Sequence, residues 1–274
     1  MALDRDKMLA AIASGGITPI YKSSIANMAA GYIASLWRAT GSPLWLQGAI
    51  PSTAAAPTDA LAGGIVLPSF GSNKGRIYRF APVGVTVGTF MLYDRLSHIG
   101  GLVANVATSQ ASDIDVETAK TAGRCRTDYL DVEWYIEIYT DLGITASNLT
   151  VTYRDTVDSV DKTIVLTGFT GASPLNRSGR CVQLIPSDGI QIKRIVSVQH
   201  NTTSGTAGNY GITARRKLCE VGQLLANIAS PAVDAISIGL PEIKDTSCLE
   251  MLVLCSTTST GIVYGTLTYG QVAE

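Results

Sequence analysis

The spacing of apolar residues changes once along this chain, near Gly64, and the change separates a helical beginning from a strand-built remainder. From Asp4 to Ser14, Met8, Leu9 and Ile12 fall at helical intervals behind Asp4, a residue suited to cap a first turn. Ile25, Met28, Ala29, Tyr32, Ile33, Leu36 and Trp37 then recur at three and four residues, with Ser23 or Ser24 as cap and Gly41 as stop, which predicts a second helix. Its other face carries Ala26, Ala30, Ala34 and Ser35, small instead of charged, so this helix is expected to pack on both sides. Gly41 to Gly64 is rich in Pro, Ala, Ser, Thr and Gly around Trp45 and reads as an extended arm draped over a partner. Residues 1–64 are thus expected to form N-terminal helices and an arm, and residues 65–274 a β-sandwich domain.

Beyond Gly64 the period is two. Strands are expected at Ile65–Leu67, Arg76–Phe80, Val83–Tyr93, Tyr129–Tyr139, Asn148–Arg154, Lys162–Thr167 and Cys181–Ile185. Others follow at Ile190–Gln199, Asn209–Arg215, Leu249–Cys255 and Ile262–Tyr269, and turn residues between them predict an antiparallel, jelly-roll-like sandwich. In Tyr129–Tyr139 the alternation puts Leu130, Val132, Trp134, Ile136 and Ile138 on a packed face, and Asp131, Glu133, Tyr135, Glu137 and Tyr139 on a face that meets water or a partner. Val221–Pro241, with its Leu224, Leu225, Ile228 run, reads as an excursion between strands.

Composition narrows the chemistry. A formal charge of −1 and only 16% charged residues give no basic stripe for a phosphate backbone, so nucleic acid is not an expected partner. Nor is a membrane, since no apolar run is long enough to span one and the N-terminus lacks the basic start of a signal peptide. Folding in a cytoplasm follows, and the sequons at Asn148, Asn176 and Asn201 read as chance. A surface with 46% hydrophobic residues behind it and few charges suits a chain covered by copies of itself, a homo-oligomer with a trimer favoured.

No catalytic, cofactor or metal set assembles in the sequence, and the chain is expected not to be an enzyme. Asp131, Glu133 and Glu137 share a strand face, as carboxylates do in some glycosidases, but Glu133 and Glu137 stand about 13 Å apart along a strand, far beyond a retaining pair. His98 and His200 lack a serine on a strained turn. Cys125, Cys181, Cys219, Cys248 and Cys255 show no paired spacing and read as buried thiols, which removes zinc. Gly205, Gly208 and Gly211 precede a strand, so they form a hairpin loop and no phosphate cradle. Residues expected to make interfaces are Ile25, Tyr32, Leu36, Trp37, Trp45, Tyr135 and Tyr139.

Four phrases carry a resemblance: SLWRATGSP (Ser35–Pro43), YDRLSHIGGL (Tyr93–Leu102), GLPEI (Gly239–Ile243) and CLEMLVLCSTTSTG (Cys248–Gly261). In their order they resemble segments of virion structural proteins of tailed bacteriophages, over most of the chain. The resemblance implies a β-rich, oligomeric protein of the virion, assembled in the host cytoplasm. Its first expected role is a capsid decoration (cement) protein bound to the major capsid protein. Its second is a tail, neck or fibre-associated protein whose Tyr135 and Tyr139 face touches a host glycan. It carries over no active-site residues.

Overall fold

The structure is a computed structural model that describes residues 5–13, 15–43, 50–157, 160–228, 233–234 and 239–272. In chain order its strands begin with β1 (Gly16–Lys22), β2 (Ile33–Ser35), β3 (Gly41–Ser42), β4 (Lys74–Gly84), β5 (Gly88–Leu102), β6 (Gln110–Asp115), β7 (Val132–Thr140) and β8 (Ser147–Asp155). They continue with β9 (Lys162–Thr170), β10 (Arg180–Leu184), β11 (Ile192–His200), β12 (Asn209–Gln223), β13 (Val233–Asp234), β14 (Glu242–Ile243), β15 (Leu249–Cys255) and β16 (Val263–Val272). Helix α1 spans Arg5–Ala13 and α2 spans Glu117–Thr121.

The chain is mainly β and its strand pairs are antiparallel, but the architecture is a three-tier one instead of a plain two-sheet sandwich. A closed barrel, ordered β10-β2-β15-β5-β12-β7, sits between two open sheets, β13-β4-β16-β1-β3 (with β14 also on β4) and β6-β11-β8-β9. The two 15-residue strands β5 and β12 make this possible. One half of their length backs onto each sheet, and register shifts between Ala214 and Arg215 and between Lys217 and Cys219 let them bend between the two contacts.

Each interface is an apolar core. Against the four-stranded sheet, Val132, Trp134, Ile136 and Ile138 of β7 with Tyr210, Ile212 and Ala214 of β12 meet Leu149, Val151, Ile195 and Val198. Against the other sheet, Phe90 and Leu92 of β5, Val221 of β12 and Leu249, Met251 and Val253 of β15 meet Ile20, Ile77, Phe80, Val263 and Leu267. Burying each large side chain stabilises by about 1.5–3 kcal/mol, so the two cores supply the bulk of the driving force.

Several expectations are corrected. The pair of N-terminal helices is not seen: α1 lies where the first was expected, but Ile25–Trp37 is no helix. Ala26 bridges Ser259, Ile33–Ser35 is β2, and Leu36–Arg38 is a single 3-10 turn. The three-four spacing arises because β2 and the 3-10 turn are buried on more than one side, which makes almost every position apolar. Nor is residue 64 a boundary between packing bodies, since β1 pairs with β16 and β2 fills the barrel between β10 and β15. Ile65–Leu67 is not a strand.

The described part of the arm covers the chain's own barrel. Beyond Arg95, β5 loses β15 as neighbour, and the arm takes its place: Ala55 and His98 exchange both backbone hydrogen bonds (3.0 and 2.9 Å), and the Gly100 N–H donates to the Pro51 carbonyl. Trp45 lies outside the described residues.

Candidate functional site

The barrel interior is the chemically distinctive place in this fold, because its inward positions are charged and aromatic. Strand alternation turns Tyr93 and Arg95 of β5, Tyr135, Glu137 and Tyr139 of β7, Thr213 and Arg215 of β12 and Glu250 of β15 to one side, while their neighbours fill the two cores. Contacts that skip an intervening strand prove the direction. Arg95 reaches Glu137 across β12, and Arg215 reaches Glu250 across β5.

These four form a closed ring of charge. Glu137 Oε2 accepts from Arg95 Nη1 and Arg215 Nη2, each at 2.7 Å, and from Thr213 Oγ1 at 3.1 Å. Glu250 accepts from Arg215 Nε at 2.6 Å and from Arg95 Nη1 at 3.0 Å. All four side chains have 0–1% exposure, so two cations and two anions balance one another away from water. Burial alone would raise the Glu137 carboxyl, but Arg95, Arg215 and Arg38 outweigh it and hold the group well below the usual carboxylate range.

An aromatic ring lies against each of the two guanidinium groups. The Arg95 guanidinium lies 4.1 Å from the centre of the Trp37 ring, and that of Arg215 lies 4.9 Å from Tyr135. Arg95 Nε donates to His98 Nδ1 at 3.1 Å and Nη2 to the Tyr139 hydroxyl at 3.2 Å. Burial, then the Arg95 charge, pushes His98 down to about 3, so its ring is neutral with the proton on Nε2. At one mouth Glu133 accepts from Tyr135 at 2.6 Å and Tyr93 at 2.9 Å, beside a cleft of about 280 Å³ lined in part by Leu130, Gln183 and Ile185.

Two further polar sets are locks on the same frame. Outside the barrel, Asp94 accepts from Arg124 Nη2 at 2.6 Å, Ser247 Oγ at 2.8 Å and the Cys248 N–H at 3.0 Å, and Arg124 also donates to the Pro57 and Arg95 carbonyls. That one ion pair ties the α2 turn, the arm and the Lys244–Cys248 turn to β5. In the other, His200 sits between Ser147 Oγ (3.0 Å) and the Tyr210 hydroxyl (3.1 Å), with the imidazole and Ser147 both buried. The serine hydroxyl already donates to the Thr202 carbonyl at 3.0 Å, and burial lowers His200 to about 4.

The expected interface residues are distributed differently from the reading of the sequence. Leu36, Trp37, Tyr135 and Tyr139 are buried within the chain, 0–3% exposed, and cannot meet a partner while the barrel is closed. Ile25 and Tyr32 are half-buried, Tyr32 under the Arg180 guanidinium at 4.8 Å. Of the face of β7 assigned to water or a partner, Tyr135, Glu137 and Tyr139 instead point into the barrel interior, and Leu130, assigned to the packed face, is exposed. Asp131, Glu133 and Glu137 do not converge, since Asp131 accepts from the Arg126 N–H and Glu137 is sealed inside. The five cysteines are free and buried, as expected.

Arg95, Arg215 and Glu250 are the residues the sequence reading missed. Their signal is present: Glu250 is a lone charge inside CLEMLVLC, and a charge at that position of a two-sided apolar strand must be buried and paired. Among the described residues no group of three or more His, Cys, Asp or Glu side chains is placed to hold a metal, and no helix is long and apolar enough to cross a membrane.

No family model matches this chain, and no curated protein matches it. Among solved structures, a chain from the structure of infectious bursal disease virus Gx strain aligns over 94% of this chain and 67% of its own length, at 13% identity and a TM-score of 0.19. A likeness that slight leaves the barrel and its two sheets to be interpreted from their own geometry.

Proposed function

We propose that this protein is a non-enzymatic structural component of a tailed-phage virion, most simply a decoration protein that oligomerises and binds the major capsid protein to stabilise the head. The observation that carries the reading is where the chain spends its polar and apolar groups. Its strongest ion pairs are locked inside the barrel, whereas the outer face of the six-stranded sheet presents Ile17, Tyr21 and Tyr264, with Leu9 and Ile12 of α1 also exposed. A frame stiffened from within and apolar without suits repeated docking on a lattice, where many weak contacts add through multivalency.

The resemblance of the four phrases to virion proteins supports the same assignment. A fibre or tail role that uses Tyr135 and Tyr139 to stack on a glycan loses those rings to the barrel interior. Hydrolysis by Glu133 with Glu137 loses its pair in the same way, and with Asp131 it loses a carboxylate already engaged by the Arg126 N–H.

The test is the density of this chain in an image reconstruction of the intact particle. Dozens to hundreds of copies over the shell are expected; six or twelve at a single vertex would replace decoration by a neck or tail role. Ile17→Asp with Tyr21→Ser, on the exposed face, should abolish binding to particles that lack the protein while leaving its melting temperature unchanged.

A further inference from the structure

Four loops meet at one end of the barrel, and none of them carries a charge. They are residues 23–32, 83–90, 222–228 and 255–266. Hydrogen bonds stitch them into one surface: the Asn227 N–H donates to the Gly84 carbonyl, the Val85 N–H to Ile262, the Ser256 hydroxyl to Val87, and the Met28 N–H to Thr258. Ala26 bridges Ser259 across the same seam. Ion pairs elsewhere on the exterior, such as Arg126–Asp128, Arg154–Asp161 and Arg177–Asp141, have no counterpart here among the described residues.

The surface has two halves of opposite relief. On one side Leu224, Leu225 and Ile228 stand out at 88%, 60% and 55% exposure, with Val85 beside them. On the other, Ala26, Ala30, Gly31, Ser256, Thr257 and Thr258 form an exposed field of small side chains. Three large aliphatic groups in water on one short loop are a cost that folding of the single chain does not remove.

We infer that this end is the self-association surface, the aliphatic loop of one copy seating on the small-residue field of the next. Charge selects the occupant. An uncharged face can be desolvated only against another uncharged face without stranding an ion, which removes nucleic acid and the headgroups of an anionic membrane. The chain itself supplies the complementary half on the same end, and a protrusion and a field side by side on one face form a self-complementary patch, which a two-fold pairing of copies uses twice. The inference does not depend on where in a virion the protein sits.

The experiment is the solution mass of the full chain by light scattering at micromolar concentration. Wild type is expected to be an oligomer, and Leu224→Glu/Ile228→Glu on the protruding half and Ala30→Arg on the field are each expected to give monomers, with unchanged far-ultraviolet circular dichroism and melting of the monomer. Mixing the acidic and the basic variant should restore a hetero-oligomer, which a merely misfolded variant would not do. A monomeric wild type, or variants that keep the wild-type mass, would overturn the inference while leaving the copy number on the particle to decide the virion role separately.

Discussion

Glu250→Gln tests whether the ring of charge in the barrel is a structural lock. The substitution keeps the size of the side chain but removes one of two anions, so Arg95 and Arg215 face Glu137 alone and the buried set changes from neutral to a net positive charge. The amide also turns hydrogen-bond donors toward a guanidinium that can only donate. Breaking one partner out of a buried ion pair costs about 3–5 kcal/mol, a large part of the roughly 5–15 kcal/mol that holds a typical domain folded. At this chain length that corresponds to a fall in Tm of roughly 10 °C. Denaturant melts followed by tryptophan fluorescence measure it.

The companion variant separates loss of a contact from stranding of a charge. Arg215→Met/Glu250→Leu removes one cation and one anion together, leaving Arg95 with Glu137. Because Glu137 Oε1 and Arg215 Nη1 have no hydrogen-bond partner among the described residues, the set is less than fully satisfied, and an apolar pair of similar volume should recover most of the loss. Arg154→Ala, at a half-exposed pair with Asp161, should change stability by less than about 1 kcal/mol. A Glu250→Gln loss under about 1 kcal/mol, or a double variant as damaged as the two singles added, would refute the lock.

Acid should weaken the fold early. His98 near 3 and His200 near 4 lie below the ordinary 6.5, so the unfolded chain takes up protons first. The stabilisation is complete above about pH 6.5 and is lost as pH falls toward the folded values, up to about 2 kcal/mol per ring at pH 5. Equal urea midpoints at pH 7.5 and 5.0 would contradict this. Trp134→Ala should cost about 3–5 kcal/mol, since the indole is buried in the core against the four-stranded sheet and its Nε1 donates to the Ile192 carbonyl at 3.0 Å. A loss under about 1 kcal/mol would mean that this face of β7 is not the packed one.

The strands were legible where one face is apolar and the other polar, as in β8, whose burial alternates residue by residue from Ser147 to Asp155. The same alternation in β7 matches the strand and its apolar face from Val132 onward, but misses the exposure of Leu130 and misassigns the other face. Polar side chains inside a barrel and polar side chains in water have one signature in sequence, because both alternate with apolar neighbours. What differs is the partner, and the partners of Glu137 lie 42 and 78 residues away. No local pattern records such a distance. A charge balance does: two acids and two arginines on strands buried on both faces need one another.

The segment read as a helix is the piece on which that balance depends. β2 contributes only Ile33–Ser35, yet it pairs with β10 on one side and β15 on the other, and without it the barrel has an open seam. Trp37, two residues past β2, covers the Arg95 guanidinium. Removing residues 1–40 would therefore take away β1, open the seam and admit water to Arg95, Glu137, Arg215 and Glu250, whereas removing residues 1–14 takes away α1 and leaves every barrel strand in place. The longer deletion should lack a cooperative melt and the shorter one should keep it. A chain lacking residues 1–40 that still melts cooperatively near the wild-type temperature would show that the barrel closes without β2, and the N-terminal segment would then return to being an appendage available for contacts with other subunits.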